Sequence, residues 1–279
     1  MTTTQWVDIV KDKDSQVETI RAHFEGHAYD AHWHDSYLVG VTEAGVQQFH
    51  SGRVRYRSTP GKVFTLAPGE VHDGDAVDRD GFTYRMLYIP PELLRRELPE
   101  IFENAPDRAE FSFPVTLFQD DLLAAATLSA FDALHRQDFK IVKDHGMQHL
   151  ISALTRRYPW RKKRVTADNK NPALQRVRDY LHDNISEEIG LTELAALAGM
   201  DRFRLTRQFQ HRYGLPPHAY LVQLRLVKAR ALLAKGFLPA DAAAQTGFAD
   251  QSHLGRWFKR AYYLTPAAYR RICTIVPDR

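Results

Sequence analysis

Two stretches of this chain follow one pattern about 50 residues apart, joined by a segment with no internal Gly or Pro. The second stretch, residues 237–271, predicts a helix, a tight turn, another helix and a short helix opening on Pro266. Ala240, Ala243 and Ala244 share a face of its first helix, where small side chains let a neighbour approach. Gly247 stands where left-handed backbone is needed and a Cβ would clash. Asp250 is set to cap orphan N–H groups of the next helix. Leu254, Trp257 and Phe258 form an i, i+3, i+4 stripe that predicts burial, and Phe248 enters the same core. The opposite face carries Gln251, Ser252, His253, Arg256 and Lys259, donors and acceptors suited to base edges and phosphates. Taken singly, such a face is also what any solvated amphipathic helix shows.

The first copy, residues 191–225, repeats the pattern. Leu194, Ala195, Leu197 and Ala198 precede Gly199, Asp201 is the cap, and Phe203, Arg204, Thr206, Arg207 and Gln208 follow. Phe209 matches Phe258, Arg207 matches Arg256, and Gly214 with Pro216 match Tyr263 and the Thr265-Pro266 pair. Residues 217–235 between the copies carry Leu221, Leu224, Val227, Ala231 and Leu232 at helical spacing. One helix of that length would be about 28 Å long. A rod of that size can hold two units near one DNA turn apart, about 34 Å. Charge agrees: residues 161–279 hold 21 Lys and Arg against 10 Asp and Glu, while residues 1–160 hold 17 against 24. Only the C-terminal part therefore suits a polyanion.

These residues resemble the DNA-binding domain of the AraC/XylS family of bacterial transcription regulators. The resemblance spans residues 172–271 and rests on Gly214, Pro216, Tyr220, Arg225, Ala229, Leu232, Ala243, Gly247, Phe248, Asp250, Ser252, Leu254, Arg256, Phe258, Lys259, Thr265, Pro266, Tyr269 and Arg270. Tyr263 departs from it, standing where the family has Gly, and a bulky residue at positive φ is costly. Gly255 and Leu254 depart more mildly. The resemblance implies base reading by Phe203, Thr206 and Arg207 in the first unit and by Gln251, Ser252, His253 and Arg256 in the second. Arg204 joins them by position, and Lys259 and Arg212 are expected on phosphates. Phe203 could equally belong to the core.

Residues 17–89 alternate in short runs, at 17–24, 36–43, 45–50, 53–57, 62–66 and 82–89, between Gly, Pro or Asp turns. Such spacing predicts a small sandwich or barrel, and residues 113–117 could add a late strand. His32 and His34 form an H-x-H pair, and His72 follows the Pro68-Gly69 turn. This order resembles the cupin fold and the ligand-binding half of AraC-type regulators. Metal-binding cupins add a Glu, but residues 38–40 here are Leu, Val and Gly, and Glu43 lies too far along. Three readings stay open. The histidines line a small-molecule effector pocket, hold a divalent metal such as Zn²⁺, or hydrogen-bond loop backbone. No cofactor is expected on the first and third readings. Further pocket candidates are Trp33, Tyr37, Glu70, Tyr84, Arg85 and Tyr88. Strand alternation lets only one of the sets Tyr84, Met86, Tyr88 and Arg85, Leu87, Ile89 face inward.

Residues 91–98 predict a Pro-started helix and 99–119 an irregular stretch. Residues 120–137 and 141–160 predict two amphipathic helices. Leu123, Thr127, Ala130 and Leu134 line one, and Leu150, Ile151, Leu154 and Tyr158 the other. The family implies that such helices dimerise; from the residues alone they could equally cover the sheet. The expected organisation is a two-domain α+β chain. It comprises a cupin-like effector domain at 1–119, a helical dimerisation or interdomain element at 120–160, a basic linker at 161–171, and an all-α domain with two helix-turn-helix units at 172–279. Expected partners are double-stranded DNA, a small-molecule effector, a second copy of the chain and, for an activator, RNA polymerase. The polar start carries no apolar signal core, no apolar run is long enough to span a bilayer, and Cys273 has no intrachain partner. A cytoplasmic protein without membrane contact is therefore expected. A metal-dependent cupin enzyme fused to a DNA-binding tail is the rival reading.

Overall fold

The computed structural model describes residues 5–101, 109–110, 113, 115–157, 161–162 and 171–274. The chain divides into two compact units, Met1–Arg164 and Val165–Arg279.

The first unit runs β1 (Trp6–Lys11), β2 (Glu18–Phe24), β3 (His27–His32), β4 (Tyr37–Gly45), β5 (Gln47–Ser51), β6 (Val54–Ser58), β7 (Val63–Leu66), β8 (His72–Ala76), β9 (Phe82–Ile89), α1 (Pro91–Ile101), β10 (Ala109–Glu110), β11 (Leu117–Phe118), α2 (Asp121–His135), α3 (Lys140–Arg157) and β12 (Arg161–Lys162). A six-stranded sheet, β1-β2-β9-β4-β7-β11, faces a four-stranded one, β3-β8-β5-β6. Arg161 and Lys162, expected in the linker, instead pair with β10; residues 163–170 of that linker lie outside the described residues.

Strand alternation in β9 separates two interiors. Leu87 and Ile89 face α1, α2 and α3, where Leu123, Ala130, Leu134, Leu150, Ile151 and Leu154 close an apolar core. The two long helices therefore cover the sheet; Tyr158 lies outside the described residues. Gly146 lets them approach, since a Cβ there would stand 3.2 Å from the Ala130 Cα. Tyr84 and Tyr88 face between the sheets. Tyr84 packs on Phe24, Phe64 and Phe82, at 6.0–6.1 Å between ring centroids. Gly40 of β4 makes room there, because a Cβ would fall 2.2 Å from the Phe64 ring.

The second unit is helical: α4 (Pro172–Asp183), α5 (Leu191–Ala198), α6 (Arg202–Tyr213), α7 (Pro217–Ala234), α8 (Pro239–Gln245), α9 (Gln251–Tyr262) and α10 (Pro266–Thr274). Both expected caps form: Asp201 accepts from Arg204 N at 2.8 Å and Asp250 from His253 N at 2.6 Å. Gly199, Gly214 and Gly247 all take positive φ. Tyr263 does too, at φ 59°, and its N–H reaches Lys259 O at 2.9 Å as Gly214 N reaches Gln210 O at 2.8 Å. The repeat thus imposes one helix ending on both copies, whichever residue stands there.

Two packing expectations need correction. In α8 the buried small residues are Ala242 and Ala243, while Ala240 and Ala244 are exposed. Helix α8 is only seven residues long, so a shift of one position turns its buried face by about 100°. In α7 the stripe does not continue through Val227 and Ala231. Leu221 and Leu224 are buried near its start, and Val222, Leu226, Ala229 and Leu233 enter the core shared with Leu254 and Phe258. A spacer that touches both copies is buried on more than one face, which blurs its period.

Candidate nucleic-acid interface and histidine cluster

Helices α6 and α9 each bury two residues: Leu205 and Phe209 in one, Leu254 and Phe258 in the other. Burial of that stripe turns the remaining positions outward. Arg204 and Arg207 on α6, and Gln251, Ser252, Arg256 and Lys259 on α9, are exposed. Phe203 is 85% exposed, which excludes the core role and presents an aromatic ring to any partner. Thr206 is half-exposed, its hydroxyl donating to Arg202 O at 2.8 Å. Leu191, Asp201, Arg202, Phe203, Thr206 and Arg207 line a recess along the start of α6. Arg212 lies at the far end of α6 with its guanidinium over the Tyr213 ring, 5.7 Å from the centroid.

His253 departs from the expected arrangement. Its ring is half-buried, edge-on to Phe248 at 5.5 Å, and its Nε2 accepts from Trp257 Nε1 at 3.0 Å. An imidazole held this way braces the turn against the helix rather than reaching outward. The same contact gives the N–H of half-buried Trp257 its polar partner. His253→Ala is expected to cost about 1 kcal/mol of stability by removing that partner. Base preference in a binding-site selection should stay as in the wild type; a changed preference would restore His253 to the reading surface.

In the first unit, His32, His34 and His72 come together, all buried. His32 ends β3, His34 follows the strand, and His72 opens β8, paired with His32 across the sheet. The His32 and His34 Nε2 atoms are 2.9 Å apart. The Nδ1 atoms of His32 and His72 face main-chain carbonyls, Asp30 O at 2.7 Å and Glu70 O at 3.1 Å. An Nδ1–H donor in each case leaves the Nε2 lone pair for the cluster. Burial, reinforced by neighbouring His32, pushes the His72 pKa down to about 3, so this ring is neutral at physiological pH.

Tyr88 belongs with the cluster, edge-on to His34 at 4.8 Å. Tyr29 stands edge-on to His32 at 5.2 Å and to His72 at 6.1 Å. Sequence reasoning missed Tyr29 because the β3–β8 register shifts between Tyr29 and His32, breaking the two-residue period. Four expected lining residues do not join. Tyr84 sits in the aromatic packing between the sheets. Tyr37 lies on the helix-facing side with Phe113. Arg85 also points that way, pairing with Glu43 at 3.2 Å and Asp132 at 3.1 Å, because β9 alternation turns it from Tyr84 and Tyr88. Hydrogen bonds from Arg21 keep the Glu43 carboxyl below the usual range, which also answers whether Glu43 could serve as the missing ligand. Glu70 spends its carboxylate on Ala67 N and the Ser51 hydroxyl; only its carbonyl reaches the cluster.

An AraC-like ligand-binding domain model matches residues 15–171, more than half the chain, and a helix-turn-helix domain model matches residues 194–272. The chain belongs to the AraC family of transcription regulators. The HTH-type transcriptional regulator YbfI of Bacillus subtilis is 27% identical to this regulator over 224 residues, 80% of each chain. The HTH-type transcriptional activator RhaS of Yersinia pestis is 26% identical over 281 residues, covering 97% of this chain and 99% of that one. Among solved structures, ToxT of Vibrio cholerae shares the fold, with a TM-score of 0.51 at 15% identity over 98% of this chain and 99% of that one. The family member described here is thus a DNA-binding transcription regulator with an N-terminal ligand-binding domain. No helix among its described residues is long and apolar enough to cross a membrane.

Proposed function

We propose that this regulator reads double-stranded DNA through α6 and α9, entering successive major grooves, and is switched by a small molecule taken into the first unit. The observation that carries the DNA reading is the outward array on two equivalent helices, Arg204 and Arg207 on one and Gln251, Ser252, Arg256 and Lys259 on the other. Arg207 and Arg256 suit guanine O6 and N7, Gln251 adenine, and Phe203 a thymine methyl. Lys259 and Arg212 suit phosphates. The effector reading rests on the buried His32, His34, His72 and Tyr88 group, a cluster of ring donors and acceptors inside the first unit. ToxT, which shares this fold, has been crystallised with an unsaturated fatty acid.

The protein acts by binding rather than by catalysis, and its DNA target places it in the cytoplasm. It works as a homodimer, for which exposed Leu122, Phe139 and Ile141 on and beside the α2–α3 hairpin supply apolar surface. An activator's role, as in the name of RhaS, would add RNA polymerase as a partner. A switch requires that the effector bind two arrangements of the protein unequally.

Gel shifts at physiological ionic strength test this reading. Its own promoter region should be preferred over random duplex, and one member of a metabolite panel should both raise the melting temperature and change that preference. At 100 times its Kd, such a ligand should add about 2.7 kcal/mol. Equal binding to promoter and random duplex, with every panel member present in turn, would discard it.

A further inference from the structure

We propose that His32, His34 and His72 form a site for a divalent transition metal ion of the zinc type, held by three imidazole nitrogens with a position left open. One ring nitrogen of each histidine lies within 4.8 Å of the others, and all three residues are buried. The His32 and His34 Nε2 atoms, 2.9 Å apart, already stand near the separation that two ligands of one ion take. With metal–nitrogen bonds of about 2.0–2.1 Å, that separation is roughly 3.0–3.4 Å.

The surroundings orient the rings as metal ligands are oriented. A histidine ligand usually donates its other N–H to a carbonyl or carboxylate, which fixes tautomer and ring angle. Asp30 O does this for His32 and Glu70 O for His72. Both acceptors are main-chain atoms beside the ligands, so the local backbone builds this support. Tyr29 and Tyr88 wall the group edge-on.

The donor set chooses the class of ion. Three neutral nitrogens without a carboxylate suit Zn²⁺, Co²⁺, Ni²⁺ or Cu²⁺ and disfavour Mg²⁺ and Ca²⁺, which want oxygen. The Glu43 and Glu70 carboxylates are engaged elsewhere. Three protein ligands leave a tetrahedral ion one position for water or for an oxygen of a bound small molecule. The metal site shares its three rings with the proposed effector pocket but does not depend on an effector, since the ion needs only their nitrogens.

The test uses the full-length chain, stripped with a chelator and titrated with Co²⁺ and, separately, Zn²⁺. Elemental analysis should give one ion per chain. Co²⁺ should develop visible d–d absorption of a nitrogen-rich site of low coordination number, and Zn²⁺ should raise the melting temperature. His34→Gln and His72→Gln should each weaken binding by at least about 100-fold, while the pair His145→Ala and His149→Ala, an exposed stacked pair on α3, should leave it unchanged. The wild-type spectrum does not depend on any variant folding. No saturable uptake by the wild type would overturn the site. So would uptake that survives in folded His72→Gln or disappears with His145 and His149. Failure of the metabolite panel alongside normal metal uptake would leave this site standing and remove only the effector reading.

Discussion

Arg225→Ala is expected to destabilise the C-terminal unit by about 3–5 kcal/mol. Arg225 leaves α7 half-buried and donates to three carbonyls: Nε to Ile185 O at 2.8 Å, Nη1 to Gly247 O at 2.7 Å and Nη2 to Glu187 O at 2.6 Å. Two of these acceptors lie in the loop that leads into α5, and the third lies in the turn between α8 and α9. One guanidinium therefore ties the entry to the first helix-turn-helix copy to the turn of the second. Burial lowers its pKa, yet an arginine stays charged at neutral pH. Charge-assisted bonds of this kind are worth about 1.5–3 kcal/mol each, less when they share one group, and their loss strands the carbonyls. The turn has no slack to absorb the change. Gly247 sits at φ 73°, and a Cβ there would meet Ser186 O at 2.6 Å and Arg225 Nη2 at 2.9 Å. Denaturant unfolding of the full chain should show the loss, with Arg225→Lys in between, because an ammonium cannot span three acceptors in a plane. A loss under 1 kcal/mol for the alanine variant would mean the clamp is ornamental.

What the sequence disclosed, and what it hid, follows from how local the cause was. The caps Asp201 and Asp250 and the glycines at 199, 214 and 247 act within one turn of backbone, so their positions could be read directly. The α2 stripe was legible because one face meets one core. The β1, β3 and β8 strands were not. β1 is an edge strand of mixed character, and β3 and β8 carry the polar residues of the histidine cluster in place of an apolar alternation. Arg85 shows the same limit, since both sets of β9 residues are mostly buried and only the packing of α2 shows which set faces the helices. The orientation of the His253 ring was hidden for a related reason. Helical spacing gives the direction of a side chain at its root, while the Trp257 N–H decides where the ring goes. Arg225 was visible in the sequence as part of the family pattern, but its three acceptors are 22 to 40 residues away, beyond any local signal.

Removing Arg207 and Arg256 together is expected to weaken promoter binding by about 2–6 kcal/mol, with each arginine contributing about 1–3 kcal/mol at a single guanine. The size of the loss is less diagnostic than its pattern. An arginine that reads a base changes the preference at one position and leaves the others as they were, whereas Lys259→Ala, on a phosphate, should weaken all sequences alike and lower the salt slope by about 1. Arg207 and Arg256 occupy matching places on α6 and α9, and α7 between those helices spans about 27 Å at 18 residues. If both helices lie in the major groove on one face of the duplex, the two lost preferences should fall about 10 base pairs apart, one turn of DNA. Their effects should also add, since residues that share no partner act independently. A binding-site selection on each single variant and on the pair reads all of this at once. Two preferences lost at the same base pair, or an unchanged selection with either variant, would show that only one helix, or neither, reads sequence.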